Sequence, residues 1–251
     1  MWNKLLSLWE KHGWQSMLGH LSHTLAPERL GPSLTERIFW RADTDEPVVA
    51  LSFDDGPHPT FTPRLLDILA KHEVPATFFL IGRYVKKHPH IAERIAADRH
   101  EIGNHTYHHR IMPLLPGRML EHEIRTTHQL ILDATGREAQ LLRPPMGLFT
   151  RRTVDVTEAC GYKTVVGDVY PRDPNLPGTE RIVRRVLRRT RPGSLIILHD
   201  GGNTRVVDRS QTLTAVDRII PELKRRGYRF VTLSKLIEKD KLSESIATGD
   251  S

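Results

Sequence analysis

The run Val48-Val49-Ala50-Leu51-Ser52-Phe53 ends on two adjacent carboxylates, Asp54 and Asp55, followed by Gly56-Pro57-His58. Apolar and β-branched residues in that density read as a buried strand, and the Asp-Asp-Gly-Pro that stops it reads as a turn. Two charges at the mouth of a core strand are costly unless a cation or a reaction uses them. They also repel each other, so something positive should sit nearby, and a metal ion is the simplest candidate.

A second half for such a site lies downstream in His105-Thr106-Tyr107-His108-His109, just after the strand-like Glu101-Ile102-Gly103. Imidazoles four positions apart project from one face if this segment makes a helical turn. One carboxylate with two histidines gives three protein ligands and leaves positions open, as catalytic sites do. Only one of the two aspartates is needed as a ligand, which frees its neighbour to act as a base. Three more polar clusters close strand-like runs: Arg143-Pro144-Pro145-Met146-Gly147, the segment from Gly167 to Pro174, and His199-Asp200 after Ser194 to Leu198. Polar groups gathered at strand carboxyl ends are the pattern of a β/α barrel.

In order and spelling, SFDDG, HTxxH, RPPxG, an aspartate-bearing segment and a terminal LH resemble the NodB-type polysaccharide deacetylases, carbohydrate esterase family 4, over roughly positions 47 to 236. The resemblance implies removal of N-acetyl groups from N-acetylated amino sugars in a chitin- or peptidoglycan-like glycan. It implies Asp54 as general base, and Asp55, His105 and His109 as ligands of a divalent metal, usually Zn2+, with Co2+, Ni2+ or Mn2+ as substitutes. Thr106 would help orient the second motif. Arg143 would hold the base, and Asp173 would pair with His199, the general acid. Pro145 and Met146 would border the oxyanion, held by the Met146 N–H, while Ile197 and Leu198 would line the pocket for the acetyl methyl.

These residue types suit the chemistry. An unactivated amide needs an activated water, a stabilised oxyanion and a proton for its leaving amine. The family usually carries tyrosine where Met146 stands and often an aromatic where Pro174 stands, so the groove wall is altered more than the reaction; Tyr170 or Trp40 would have to replace the lost stacking platform. Taken singly, each residue has a plainer reading. Asp54 and Asp55 could form a turn, Arg143 could be a surface ion-pair partner, and Asp168 competes with Asp173 for the histidine. His58, His108 and His122 read as ordinary surface residues among fourteen histidines. Two rival functions use the same residues: a non-sugar amidase of the same superfamily, and a catalytically silent glycan- or membrane-binding protein.

The remainder reads as one domain. Strands are expected at 48–53, 76–81, 101–103, 141–143, 164–166, 194–198 and 229–233, with helices over 62–72, 85–97, 119–134, 154–160, 181–189 and 212–226. Seven strands suggest a distorted, incomplete (β/α) barrel, an α/β fold, spanning 44–238. It follows an amphipathic helical segment at 1–43 and precedes a polar tail at 239–251. The segment to Leu25 holds three of the four tryptophans and is broken by Glu10, Lys11 and His12. It is too polar for a signal peptide core or a membrane span, so the expected location is cytoplasmic or peripheral to a membrane touched through residues 1–25. One cysteine, Cys160, precludes an internal disulfide. The net charge of +7 owes much to the arginines between 181 and 191. That face could draw an anionic polymer or phospholipid, but no nucleic-acid motif accompanies it.

Overall fold

The computed structural model describes residues 34, 36–202 and 207–248. The tryptophan-rich segment lies outside the described residues. The chain divides into two compact units, residues 1–38 and 39–251, and the second carries the fold discussed below.

Its centre is β2 (Val48–Gly56), every residue of which is buried. Around it lie β1 (Ile38–Phe39), β3 (Thr77–Leu80), β4 (Glu101–Asn104), β5 (Leu141–Leu142), β6 (Lys163–Val165), β7 (Leu195–His199) and β8 (Arg229–Val231). They form one sheet in the order β1-β6-β5-β4-β3-β2-β7, with β8 beside β2. The ladders from β2 through β6 and those of β2 with β7 and β8 are parallel. Between β7 and the stretch after β6 there is a single bridge, Val169 to Ile196, so the ring is curved but not closed by a ladder. The expected distorted, incomplete α/β barrel is the fold found, with an eighth short strand at Ile38–Phe39 that carried too few residues to show a period.

Alternation along β2 divides the core. Leu51 and Phe53 belong to the large cluster that also contains helix residues such as Leu65, Leu69, Ile124 and Ile219. Val48 and Ala50 belong to a smaller cluster with Phe79, Leu141, Val165 and Leu195, sealed by Leu233, Leu236 and Ile237. A parallel strand with apolar neighbours on both faces is the reason the run lacks a polar side.

The crossovers are α1 (Phe61–Lys71), α2 (Gly82–Lys87), α3 (Pro89–Ala97), α4 (Gly117–Thr135), α5 (Arg151–Ala159), α6 (Thr179–Arg189) and α7 (Ser210–Arg225); α8 (Leu233–Thr248) follows β8. Where one helix is expected over 85–97 there are two, because His88 leaves helical geometry and Pro89 opens a new first turn. The segment expected to be a polar tail is helical as far as Thr248. Helix α4 stops at Gly136, whose φ of 66° is natural for glycine and whose N–H caps Leu132 O. Among the described residues no helix is long and apolar enough to cross a membrane.

Candidate active site

The inner face of β2 runs from Val48 and Ala50 to Ser52 and Asp54, and one guanidinium marks the parity: Arg143 Nη1 donates to Ser52 Oγ at 2.8 Å and to Asp54 Oδ1 at 2.6 Å. By the same alternation Asp55 would point away, among the helices. It does not, because its φ is 71° and the β2–β3 register skips it, pairing Asp54 with Phe79 and Gly56 with Leu80. This bulge re-aims one side chain so that both carboxylates serve the same mouth. A non-glycine residue in that region costs about 1–3 kcal/mol and must be held by its surroundings. Gly201 is part of the hold: a Cβ there would sit 1.9 Å from Asp55 O. Gly201→Ala is therefore expected to push the Asp55 backbone aside and weaken the affinity for a metal held through Asp55 by about 10–100-fold, the scale of lost supporting contacts around metal ligands. Calorimetric titration with Zn2+ would show it, and wild-type affinity in the variant would refute the hold.

His105 and His109 converge, but not on a helical turn. His105 follows the end of β4, Thr106 has a φ of 63° and His109 a φ of 58°, so the segment is an irregular loop. Its rings still meet, with centroids 4.9 Å apart. Side chains that carry no signal in the sequence shape this loop. Asn104, fully buried, accepts from Thr106 N–H at 2.9 Å and donates to Ile124 O at 2.9 Å and to Tyr162 Oη at 3.2 Å. Glu123 on α4, also buried, accepts from His108 N–H at 2.7 Å and lies 2.6 Å from His108 Nδ1. His108 is thus a loop anchor rather than a free surface histidine. His58 is likewise engaged, accepting at Nδ1 from Thr60 and Phe61 N–H at the start of α1; His122 is exposed. Thr106 itself is buried and its carbonyl accepts from Gly82 N–H.

The ligand atoms offered by Asp55, His105 and His109 lie within 4.8 Å of one another. Asp55 Oδ1 is 3.1 Å from His109 Nε2 and 3.5 Å from His105 Nε2, yet it is buried and accepts no well-formed hydrogen bond. His105 Nδ1 lies 2.7 Å from Arg143 O, to which it can only donate, so in the neutral ring it is Nε2 that offers the lone pair. Burial would raise the Asp55 carboxyl, but the two facing imidazoles outweigh it and hold it well below the usual range. A buried carboxylate oxygen with no well-formed hydrogen bond, within reach of two imidazole nitrogens, fits a divalent cation.

Two ion pairs accompany the triad. Asp54 and Arg143 are buried together, with the guanidinium 4.1 Å above the Phe79 ring. Burial lowers the Arg143 pKa and Asp54 opposes that shift. Asp173, fully buried, receives His199 N–H at 2.9 Å and Thr212 Oγ at 3.0 Å, and lies 3.1 Å from His199 Nδ1. Burial disfavours the charged His199 ring, but Asp173, joined by the fields of Asp55 and Asp54, outweighs it and the pKa rises. Asp168 is engaged elsewhere, with Ser194 Oγ and Leu195 N–H, so Asp173 is the histidine's partner. Asp54 and His199 are register partners on adjacent strands, which brings the two pairs together. Asp200, next along, is buried and bonded by Thr62 Oγ, and burial pushes its carboxyl up to about 7.

The remaining expected wall is partly displaced. Ile197 shares the His199 side of β7 and is half-buried, whereas Leu198 takes the opposite pleat and lies in the helix-side core. Of the two residues expected to line a pocket on this strand, only Ile197 shares the face of His199. Pro145 is buried and Met146 adopts a φ of 61°, a sharp turn directly after Arg143 and Pro144. Tyr170 lies 6.0 Å from the His199 ring, ring centre to ring centre, and Trp40 lies edge-on to Phe149. Cys160 is half-buried, and burial raises its thiol pKa.

Comparison with known proteins gives a consistent picture. The family model described as polysaccharide deacetylase matches residues 41–165. A peptidoglycan-N-acetylglucosamine deacetylase of Bacillus cereus is 39% identical over 205 residues, covering 81% of this chain and 94% of that protein. A chitooligosaccharide deacetylase of Sinorhizobium fredii is 40% identical over 195 residues, covering 75% of this chain and 91% of that protein. A solved structure of a peptidoglycan N-acetylglucosamine deacetylase superposes with a TM-score of 0.76 at 34% identity, covering 81% of this chain and 95% of the other.

Proposed function

The chain belongs to the NodB-type polysaccharide deacetylases, carbohydrate esterase family 4, and from that premise we propose that it hydrolyses the N-acetyl amide of amino sugars in a poly- or oligosaccharide. The observation that carries the reading is the register pairing of Asp54 with His199. It sets a carboxylate anchored by arginine and a histidine anchored by aspartate beside the triad of Asp55, His105 and His109.

Asp55, His105 and His109 would hold the divalent metal, Zn2+ by family habit with Co2+, Ni2+ or Mn2+ as substitutes; bound there, it supplies Lewis acidity that brings the pKa of water to ~7. Asp54 serves as general base. Arg143 fixes its Oδ1, leaving Oδ2 to take the proton of the attacking water. His199, turned by the Asp173 contact at Nδ1, presents Nε2 as the acid that protonates the leaving nitrogen. The Met146 N–H, aimed by the turn after Pro145, faces the oxyanion. Ile197 bounds the space for the acetyl methyl. Purified protein with added Zn2+ or Co2+ is expected to release acetate from chitin oligomers or peptidoglycan fragments. Release from small amides alone would favour the non-sugar amidase, and metal binding without any release would favour a silent glycan-binding protein.

The raised pKa of His199 sets the expected pH dependence. The acid form persists above the ordinary histidine value and is lost as pH rises through the raised one, so kcat/KM should fall on the alkaline side. Asp173→Asn removes the largest stabiliser of the charged ring and should move that limb to lower pH. A pH–rate profile with both limbs unchanged in the variant would remove His199 from the role of acid.

A further inference from the structure

Between Arg172 and Arg191 the sequence places seven arginines against two carboxylates, Asp173 and Glu180. Asp173 is committed to His199 and Thr212, and both oxygens of Glu180 go to Arg218 on α7. Among the described residues no carboxylate is in ion-pair contact with Arg181, Arg184, Arg185, Arg188 or Arg189, all on α6. Arg181, Arg184, Arg188 and Arg189 are exposed. Spacings of three and four make these side chains one continuous band along the helix. The arginines feel one another: burial first, then the fields of Arg181, Arg189, Arg184 and Arg188, depress the Arg185 guanidinium.

A basic outer face on a soluble helix is ordinarily just solvated. This one abuts the active-site loop. Arg185 donates to Pro171 O at 2.7 Å and Arg189 to Tyr170 O at 3.4 Å. Those carbonyls closely precede Asp173, the partner of His199. Arg172 carries the charge onto the loop itself, and its Nε is buried without a hydrogen-bond partner.

We propose that this band, Arg172 with Arg181, Arg184, Arg185, Arg188 and Arg189, is a docking surface for a glycan polymer bearing carboxylates, so that the chain processed beside His199 is anionic rather than neutral. The inference rests on the deacetylase reading for its geometry, because the polymer must run from the band to the acid pair. Clustered guanidinium groups raise the local concentration of a polyanion and pair bidentately with its carboxylates. A neutral chitin-like polymer gains nothing from them.

The test is co-sedimentation of the full chain with purified peptidoglycan sacculi, which carry peptide and sugar carboxylates, and with chitin as the neutral probe. Binding to sacculi should weaken by about tenfold or more between about 50 and about 500 mM salt, as screening shortens the reach of the charges. Binding to chitin should change by less than about twofold, since no charge pairing is there to be screened. The triple variant Arg181→Gln, Arg184→Gln, Arg188→Gln removes three guanidinium groups that make no hydrogen bond to the loop. It should lose most of the salt-sensitive component on sacculi while keeping a wild-type melting temperature. Salt-independent binding, or a triple variant that binds sacculi like wild type, overturns the proposal. So does equal or tighter sedimentation with vesicles of anionic phospholipid, which would assign the band to a lipid surface. Because the readout is binding, a wild-type protein that binds sacculi in this way but releases no acetate refutes the hydrolase reading and leaves the docking surface standing.

Discussion

Asp54→Asn is expected to cut acetate release by about 10²–10⁴-fold, the range assigned to a positioned general base, while metal content per chain stays at the wild-type value. The two outcomes separate because Asp54 and Asp55 face one mouth for different reasons. Asp54 follows the inward pleat of β2 and meets Arg143, whereas Asp55 reaches the histidines through its left-handed backbone. An asparagine side chain keeps an oxygen for Arg143 Nη1 but removes the carboxylate that, among the described residues, is paired with that buried guanidinium. Breaking a buried pair from one side costs about 3–5 kcal/mol. The hydrogen bonds that Nη1 retains, to the new amide oxygen and to Ser52 Oγ, favour the lower end. Activity should therefore be compared at a temperature where both proteins are folded by circular dichroism. Full turnover in folded Asp54→Asn would end its assignment as base, and parallel loss of metal would make it a ligand instead.

His105→Ala should produce the opposite division, losing the metal first. Nε2 is one of the three donor atoms that would hold the proposed metal, and Nδ1 ties the ring to Arg143 O. Removing the ring takes away a ligand and leaves a buried carbonyl without its donor. Metal affinity should drop by more than about 100-fold, beyond the loss typical for groups that merely support a ligand. Elemental analysis after dialysis, with calorimetric titration of Zn2+ or Co2+, measures this without any substrate. His122→Ala is the matched control, since that histidine is exposed on α4 and should leave affinity unchanged. Wild-type metal content in His105→Ala would dissolve the triad.

Much of this arrangement is legible in the chain itself. The apolar run ending in Asp54-Asp55 announces a buried strand with a charged mouth, and it is β2 that organises the sheet. Three ligand candidates drawn from two motifs converge within reach of one cation. The backbone path between those residues is what a sequence does not display. A spacing of four between His105 and His109 suits a helical turn, but Thr106 at a φ of 63° rules one out. Its partner Asn104 gives no periodic or compositional signal, because a buried amide is recognised only by what it bonds. Glu123 sits in a helix that reads as amphipathic, and its charge argues for the surface rather than for the loop it holds. Leu198 is different, since strand parity alone settles its place. Counting back by two from His199 reaches Ile197, and the same alternation sends Leu198 to the helices.

The bend at Asp55 carries a lesson for anyone wishing to transplant this centre. Copying Asp-Asp-Gly and His-Thr-Tyr-His-His onto the rim of another barrel would move the donors without their aim. The aim resides in a carbonyl after one strand, an amide at the tip of a second and a missing methyl beyond a third: Arg143 O, Asn104 and Gly201. A faithful graft therefore takes those three strands together with β2.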